Sequence, residues 1–154
     1  MPEYRSAAIA NAFIDLAERP LPQMMLHKLT YMANGWHLAI TGEPLVSDKP
    51  EAWDNGPVFR LIWDRIRDFG TDKNGKILKS SGKPFAADLS AEEQSVIEHV
   101  WRKYKKFSQF ALSDMTHQPG TPWTQTYFSR GRNAVIEDDL VREHYVQLAR
   151  ANRG

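Results

Sequence analysis

Leu26-His27-Lys28-Leu29-Thr30-Tyr31-Met32-Ala33-Asn34-Gly35-Trp36-His37-Leu38-Ala39-Ile40-Thr41-Gly42-Glu43-Pro44-Leu45, followed by Glu51-Ala52-Trp53-Asp54-Asn55-Gly56-Pro57-Val58, decides how this chain folds. Met25, Leu29, Met32, Trp36 and Ile40 recur at helical spacing, so a helix is predicted from about Gln23 with that stripe buried. His27, Thr30, Asn34 and His37 form a second, polar stripe. Gly35 costs about 1 kcal/mol against alanine inside a helix, and it allows another element to approach closely. Gly42 predicts a left-handed cap. Pro44 to Trp53 reads as extended, with Leu45-Val46 and Ala52-Trp53 as the strands of a small β arm. Asn55-Gly56-Pro57 then predicts a third helix, because proline suits the first helical position.

The rest of the chain is read outward from that run. Ser6 to Glu18 is a first helix with Ile9, Phe13 and Leu16 on one stripe, stopped by Pro20 and Pro22. Val58, Ile62, Ile66 and Phe69 form the stripe of the third helix, which Gly70 closes. Thr71 to Asp88 is the least helical stretch. Asn74-Gly75 signals a hairpin turn, Lys76-Ile77-Leu78-Lys79 a strand, and Ser80 to Pro84 a loop. Ser90-Ala91-Glu92-Glu93 is a capping box, opening a helix with Val96 or Ile97, Val100, Tyr104 and Phe107 inward. Ser108 caps a shorter helix to about Met115, and Gly120-Thr121-Pro122-Trp123 breaks the chain. A last helix covers Ile136 to Ala151, with Leu140, Leu148 and Tyr145 or His144 inward. The expected architecture is mainly α: one compact domain over residues 1–154, with five to six helices and a small β arm or hairpin.

Bulk properties narrow the chemistry. A chain of 154 residues can bury a core without a covalent staple. The absence of cysteine excludes disulfides, thiolate metal sites and cysteine nucleophiles. A formal net charge of +1 gives no bulk attraction to nucleic acid or an anionic membrane. The start, Met1-Pro2-Glu3-Tyr4-Arg5-Ser6, lacks a signal-peptide pattern, and no apolar run reaches the roughly 20 residues of a membrane span. The expected location is the cytoplasm. Five tryptophans point to an aromatic core, an aromatic contact surface, or both.

The quoted run resembles the signature of the Panacea domain, a bacterial and phage-associated family that includes antitoxins and SocA-like proteolytic adaptors. The motif positions are Lys28, Leu29, Tyr31, Gly35, Trp36, Gly42, Pro44, Leu45, Gly56 and Pro57. Two later blocks extend the resemblance. One is Leu89-Ser90-Ala91-Glu92-Glu93 with Val96-Ile97 and Val100 to Tyr104. The other is Leu112 to His117 with Pro122-Trp123. The family usually has Gln where this chain has His27, and an aliphatic residue where it has Thr30. The resemblance implies a protein that neutralises a partner toxin, encoded by an adjacent gene, by direct binding or by delivering it to a protease such as ClpXP. No enzymatic activity and no cofactor are implied.

The residues themselves offer little catalysis. His27 and His37 are ten positions apart, about 15 Å along a helix, too far to share a metal ion. Asp72-Lys73-Asn74-Gly75 begins like a calcium loop but fails, with Lys76 at the fifth position and Ile77 in place of the required glycine. Ser113, Asp114 and His117 are triad residue types, yet within one turn they favour a helix end that His117 caps. Arg60, Arg65 and Arg67, the run Trp101 to Phe107, and Arg130 with Arg132 are basic clusters. They read as solvated faces or, in an alternative function, as the phosphate contacts of a nucleic-acid-binding regulator of its own operon. Trp36 and Trp101 fall on core faces. Trp53, His117 and Trp123 are the candidate partner-binding residues, although Trp53 and Trp123 also suit core packing, with the 116–123 block as a closure over the last helix.

Overall fold

A computed structural model describes residues 4–151. Met1 to Glu3, where a leader was sought, lie outside the described residues. Within them the chain forms seven helices and one two-stranded antiparallel hairpin. The mainly α architecture with a small hairpin is as expected, with one helix more than the sequence suggested.

Helix α1, Ser6–Ala17, has no cap from Arg5. Asp48 serves instead, its carboxylate accepting from the Ser6 N–H at 2.7 Å. An anion at a helix start satisfies exposed amides and complements the helix dipole. Helix α2, Gln23–Thr41, ends at Gly42, which has φ +82° and donates its N–H to Leu38. Every residue from Met25 to Leu38 is buried, so α2 is the central helix, with α1, α4 (Ala91–Tyr104), α5 (Gln109–Thr116) and α7 (Asp138–Ala151) packed against it.

That burial corrects the two-stripe reading. The polar stripe does not face water, and Ile40, assigned inward, is 59% exposed. Three of the stripe's side chains, those of His27, Asn34 and His37, together with Lys28, instead bond the backbone of the segment that follows. Asn34 Oδ1 accepts from the Leu45 N–H at 2.8 Å and the Val46 N–H at 3.3 Å. His27 Nδ1 accepts from the Phe59 N–H at 3.1 Å. His37 donates to the Glu43 carbonyl at 2.6 Å, and Lys28 Nζ to the Pro57 carbonyl at 2.7 Å. The bonds to Leu45, Val46, Pro57 and Phe59 satisfy buried backbone groups that would otherwise cost stability. The polar stripe thus lays out the segment from Glu43 to Phe59 along α2.

The β arm is also corrected. Strand β1, Glu51–Trp53, pairs with β2, Gly56–Val58, around the Asp54-Asn55 turn, in the register Glu51↔Val58, Ala52↔Pro57, Trp53↔Gly56. Leu45-Val46 is not a strand of this hairpin, and Val46 forms an isolated parallel bridge to Tyr4. Gly56-Pro57 is not a helix start. The next helix, α3, spans Arg60–Phe69. Proline is tolerated in β2 because its partner's amide is used elsewhere: the Ala52 N–H donates to Ala134, and Asn133 donates to Ala52.

In α3, Ile62 is fully buried and Phe69 is exposed. The following stretch carries isolated bridges at Thr71↔Ile77 and Leu78↔Pro84. It is pinned by buried Asn11, whose amide donates to the Ile77 and Phe85 carbonyls and accepts from Ile77. Helix α4, Ala91–Tyr104, has both halves of its Ser90–Glu93 capping box. Ser108 caps α5, Gln109–Thr116. The break read at Gly120 to Trp123 is instead the start of helix α6, Pro122–Arg130, with Thr121 as cap and Pro122 in its first turn. Helix α7, Asp138–Ala151, buries Val141 and Tyr145. Tyr145 lies directly on Gly35, where a Cβ would overlap its ring.

Candidate functional site

The three candidate contact residues meet at the hairpin turn. Trp123 is 6% exposed, and its indole N–H donates to the Trp53 carbonyl at 2.6 Å. The His117 ring lies 5.3 Å from Trp123, edge to face, and its Nδ1 bonds the Ser113 carbonyl one turn earlier. The Ser113 hydroxyl donates to the Asn55 carbonyl at 2.6 Å. Ser113 and His117 are therefore committed to main-chain carbonyls while Asp114 is exposed, and α5 and α6 both clamp the β1–β2 turn. Trp53 itself is half-buried, with its ring 5.2 Å from Trp63, and the Arg60 guanidinium lies over it.

From this closure an aromatic surface extends outward. Tyr127 stacks on Trp123 at 4.5 Å, and Phe128 packs edge-on against Tyr127 at 5.2 Å. Phe128 is 76% exposed and Trp63 is 41% exposed. At the hairpin turn Asp54 binds Arg132 Nε at 2.9 Å and the Tyr127 hydroxyl at 2.7 Å. The Arg132 and Tyr127 hydrogen bonds hold the Asp54 carboxyl below its usual range. Phe128, Tyr127 and Trp63 were missed in the sequence. The sequence suggests a break at Gly120 to Trp123 and no helix between it and Ile136, and Trp63 falls outside the buried stripe of α3.

Beside the turn, a cleft of about 520 Å³ opens between the first turns of α2 and the hairpin. It is lined by Met24, His27, Lys28, Trp53, Asn55 and Trp63, among others. His27 is pushed down to about 3 by burial first and by the Lys28 charge second. Burial alone lowers Lys28 to about 7. Gly56, with φ +115°, passes over the Lys28 ammonium, where a Cβ would lie 3.1 Å from Nζ. Among the described residues no group of three metal-ligating side chains converges, and no helix is long and apolar enough to cross a membrane.

The other motif positions lie outside this cleft. Leu29, Tyr31 and Leu45 are buried, and the Trp36 indole donates to the Tyr104 hydroxyl at 3.1 Å. Pro44 follows the Gly42 cap and leads the chain to Leu45.

Most of the central helix, the hairpin, α5 and the first residues of α6 lie within the stretch that matches a family model. Residues 26–124 match the family described as Antitoxin SocA-like, Panacea domain, and the chain belongs to it. It is similar to a curated protein, Antitoxin SocA of Caulobacter vibrioides, at 30% identity over 128 residues. That alignment covers 75% of this chain and 66% of the relative, so the chain spans just under two thirds of the relative's length. No solved structure matches it.

Proposed function

We propose that this chain is an antitoxin that neutralises a toxin protein by binding it directly, with the aromatic face around the hairpin turn as the contact surface. Membership in an antitoxin family supports the class of task. The observation that carries the surface is the exposure of Phe128 and Trp63 on a base fixed by the Trp123–Trp53 hydrogen bond. Exposed aromatics on a rigid base are the usual centres of protein interfaces, because they bury much area at little entropic cost. In this reading Trp53 contributes the edge of its ring, while His117 and Trp123 hold the platform from beneath. The protein acts in the cytoplasm without catalysis or cofactor, and its toxin is encoded by an adjacent gene.

Nucleic-acid binding receives less support. Arg60, Arg67, Arg130 and Arg132 each pair with a carboxylate, namely Glu51, Asp68, Glu137 and Asp54. Guanidinium groups neutralised in this way are poor phosphate contacts. Co-expression with the adjacent gene product tests the proposal. Growth should be restored and the two proteins should co-purify, whereas persistent toxicity without a complex overturns it. Removing a protease such as ClpXP separates the routes: rescue that persists means occlusion, and rescue that disappears means delivery for degradation.

A further inference from the structure

We propose that the cleft between α2 and the hairpin is a binding site for a carboxylate carried next to an apolar group, with the Lys28 ammonium as its counter-charge. The proposal rests on the cleft alone, so it stands or falls separately from the antitoxin reading.

Lys28 is 1% exposed, and its ammonium has three N–H donors. One bonds the Pro57 carbonyl, and no carboxylate pairs with it among the described residues. A buried cation without a counter-charge is costly, and an anion delivered to it recovers part of that cost. The cleft already contains one carboxylate, but Asp54 is bound by Arg132 and Tyr127. His27 is held neutral by its low pKa while accepting from Phe59. The charge left over in the cleft is therefore the single positive charge of Lys28.

The remaining walls define the rest of the ligand. Met24, Val58, Trp53 and Trp63 supply apolar and aromatic surface, and Gln23 and Asn55 supply amides. A cavity of about 520 Å³ matches small ligands in which one polar group fixes orientation and apolar surface supplies most of the affinity. A free small acid and the terminal residue of a bound polypeptide share this chemistry.

The titratable groups facing the cleft are His27 and Lys28 from α2, Asp54 from the hairpin turn and Arg132 from beyond α6. The α5 group over Gly56 is the uncharged Thr116 hydroxyl. Of these, Lys28 alone changes charge between about pH 6 and about pH 9, having been lowered to about 7. Carboxylate binding should therefore weaken as pH rises through that interval.

The experiment is calorimetric titration of the full chain with N-acetyl-leucine and with N-acetyl-leucine amide, at about pH 6 and about pH 9. The acid should bind at least about tenfold more tightly than the amide at the lower pH, and that preference should collapse at the higher. Lys28→Met, if folded, should abolish the preference. If it does not fold, the pH dependence of the unaltered protein decides. An acetylated pentapeptide ending in free leucine distinguishes the sources. Tighter binding than N-acetyl-leucine supports a chain terminus, and weaker binding supports a free acid. Equal binding of acid and amide, no binding of either, or an acid preference that survives at about pH 9 overturns the proposal.

Discussion

The Trp123 indole N–H donates to the Trp53 carbonyl at 2.6 Å, tying the first turn of α6 to the end of β1. This bond fixes the hairpin turn from beneath while Ser113 holds the next carbonyl but one, that of Asn55. The predicted consequence is a graded loss. Trp123→Phe keeps an aromatic stack against Tyr127 but strands the carbonyl, and should cost about 1–3 kcal/mol. Trp123→Ala also opens a cavity and should cost about 3–5 kcal/mol. Chemical denaturation of both variants checks the order, which an exposed, non-structural Trp123 would not produce.

Gly35 is required by Tyr145, whose ring occupies the space a Cβ would take. Alanine normally favours a helix interior over glycine by about 1 kcal/mol. Here Gly35→Ala should destabilise instead, by about 1–3 kcal/mol through overpacking. Adding Tyr145→Leu should recover part of the Gly35→Ala loss, and a double-mutant cycle in thermal melts measures that coupling.

Thr30 carries a buried hydroxyl without a hydrogen-bond partner. Replacing it with valine keeps the shape and removes the unsatisfied group. Thr30→Val should stabilise the chain by about 1 kcal/mol, in line with the aliphatic residue usual in the resembled signature. An unchanged or lower denaturation midpoint would show that the hydroxyl is satisfied in solution.

Local signals marked much of this fold in the sequence. Pro20 and Pro22, Gly42, Gly70 and the Ser90 and Ser108 caps bracket helices within a residue or two of where they lie. What misled was information held by distant partners. Gly56-Pro57 looks like a helix start until β1 and the Asn133-Ala134 backbone beside it are in place. The polar stripe of α2 looks solvated until the segment from Glu43 to Phe59 is folded over it. Thr121-Pro122 is different: a cap followed by proline at the first helical position is a local signal for the start of α6, and reading Gly120 to Trp123 as a break passes over it. Of the proposed contact surface, Trp53 was legible in the sequence, whereas Phe128 and Trp63 acquire meaning only from their exposure in the fold.

Two buried bases make stability depend on pH. His27 is lowered from an ordinary 6.5 to about 3, and Lys28 from 10.5 to about 7. Between its folded and unfolded values each group binds more protons unfolded, so stability rises with pH across that window. The His27 contribution is complete above about pH 6.5 and is lost as pH falls towards about 3. The Lys28 contribution is complete above about pH 10.5 and is lost as pH falls through about 7. His27→Gln can still accept from the Phe59 amide without titrating. Its stability should fall less steeply than that of the unaltered protein below about pH 6.5, by up to about 1.4 kcal/mol per pH unit. Parallel acid-limb slopes in denaturant titrations would contradict this.

The most direct test of the account is the affinity of the chain for the product of the adjacent gene, the toxin under the proposed function, compared with that of the Trp63→Ser, Phe128→Ser double variant. Both side chains project from the platform, so the variant should keep its melting temperature to within about 2 °C. Its affinity should fall at least about tenfold. A variant that melts normally and binds the toxin as tightly as the unaltered protein would show that the aromatic face is not the contact surface.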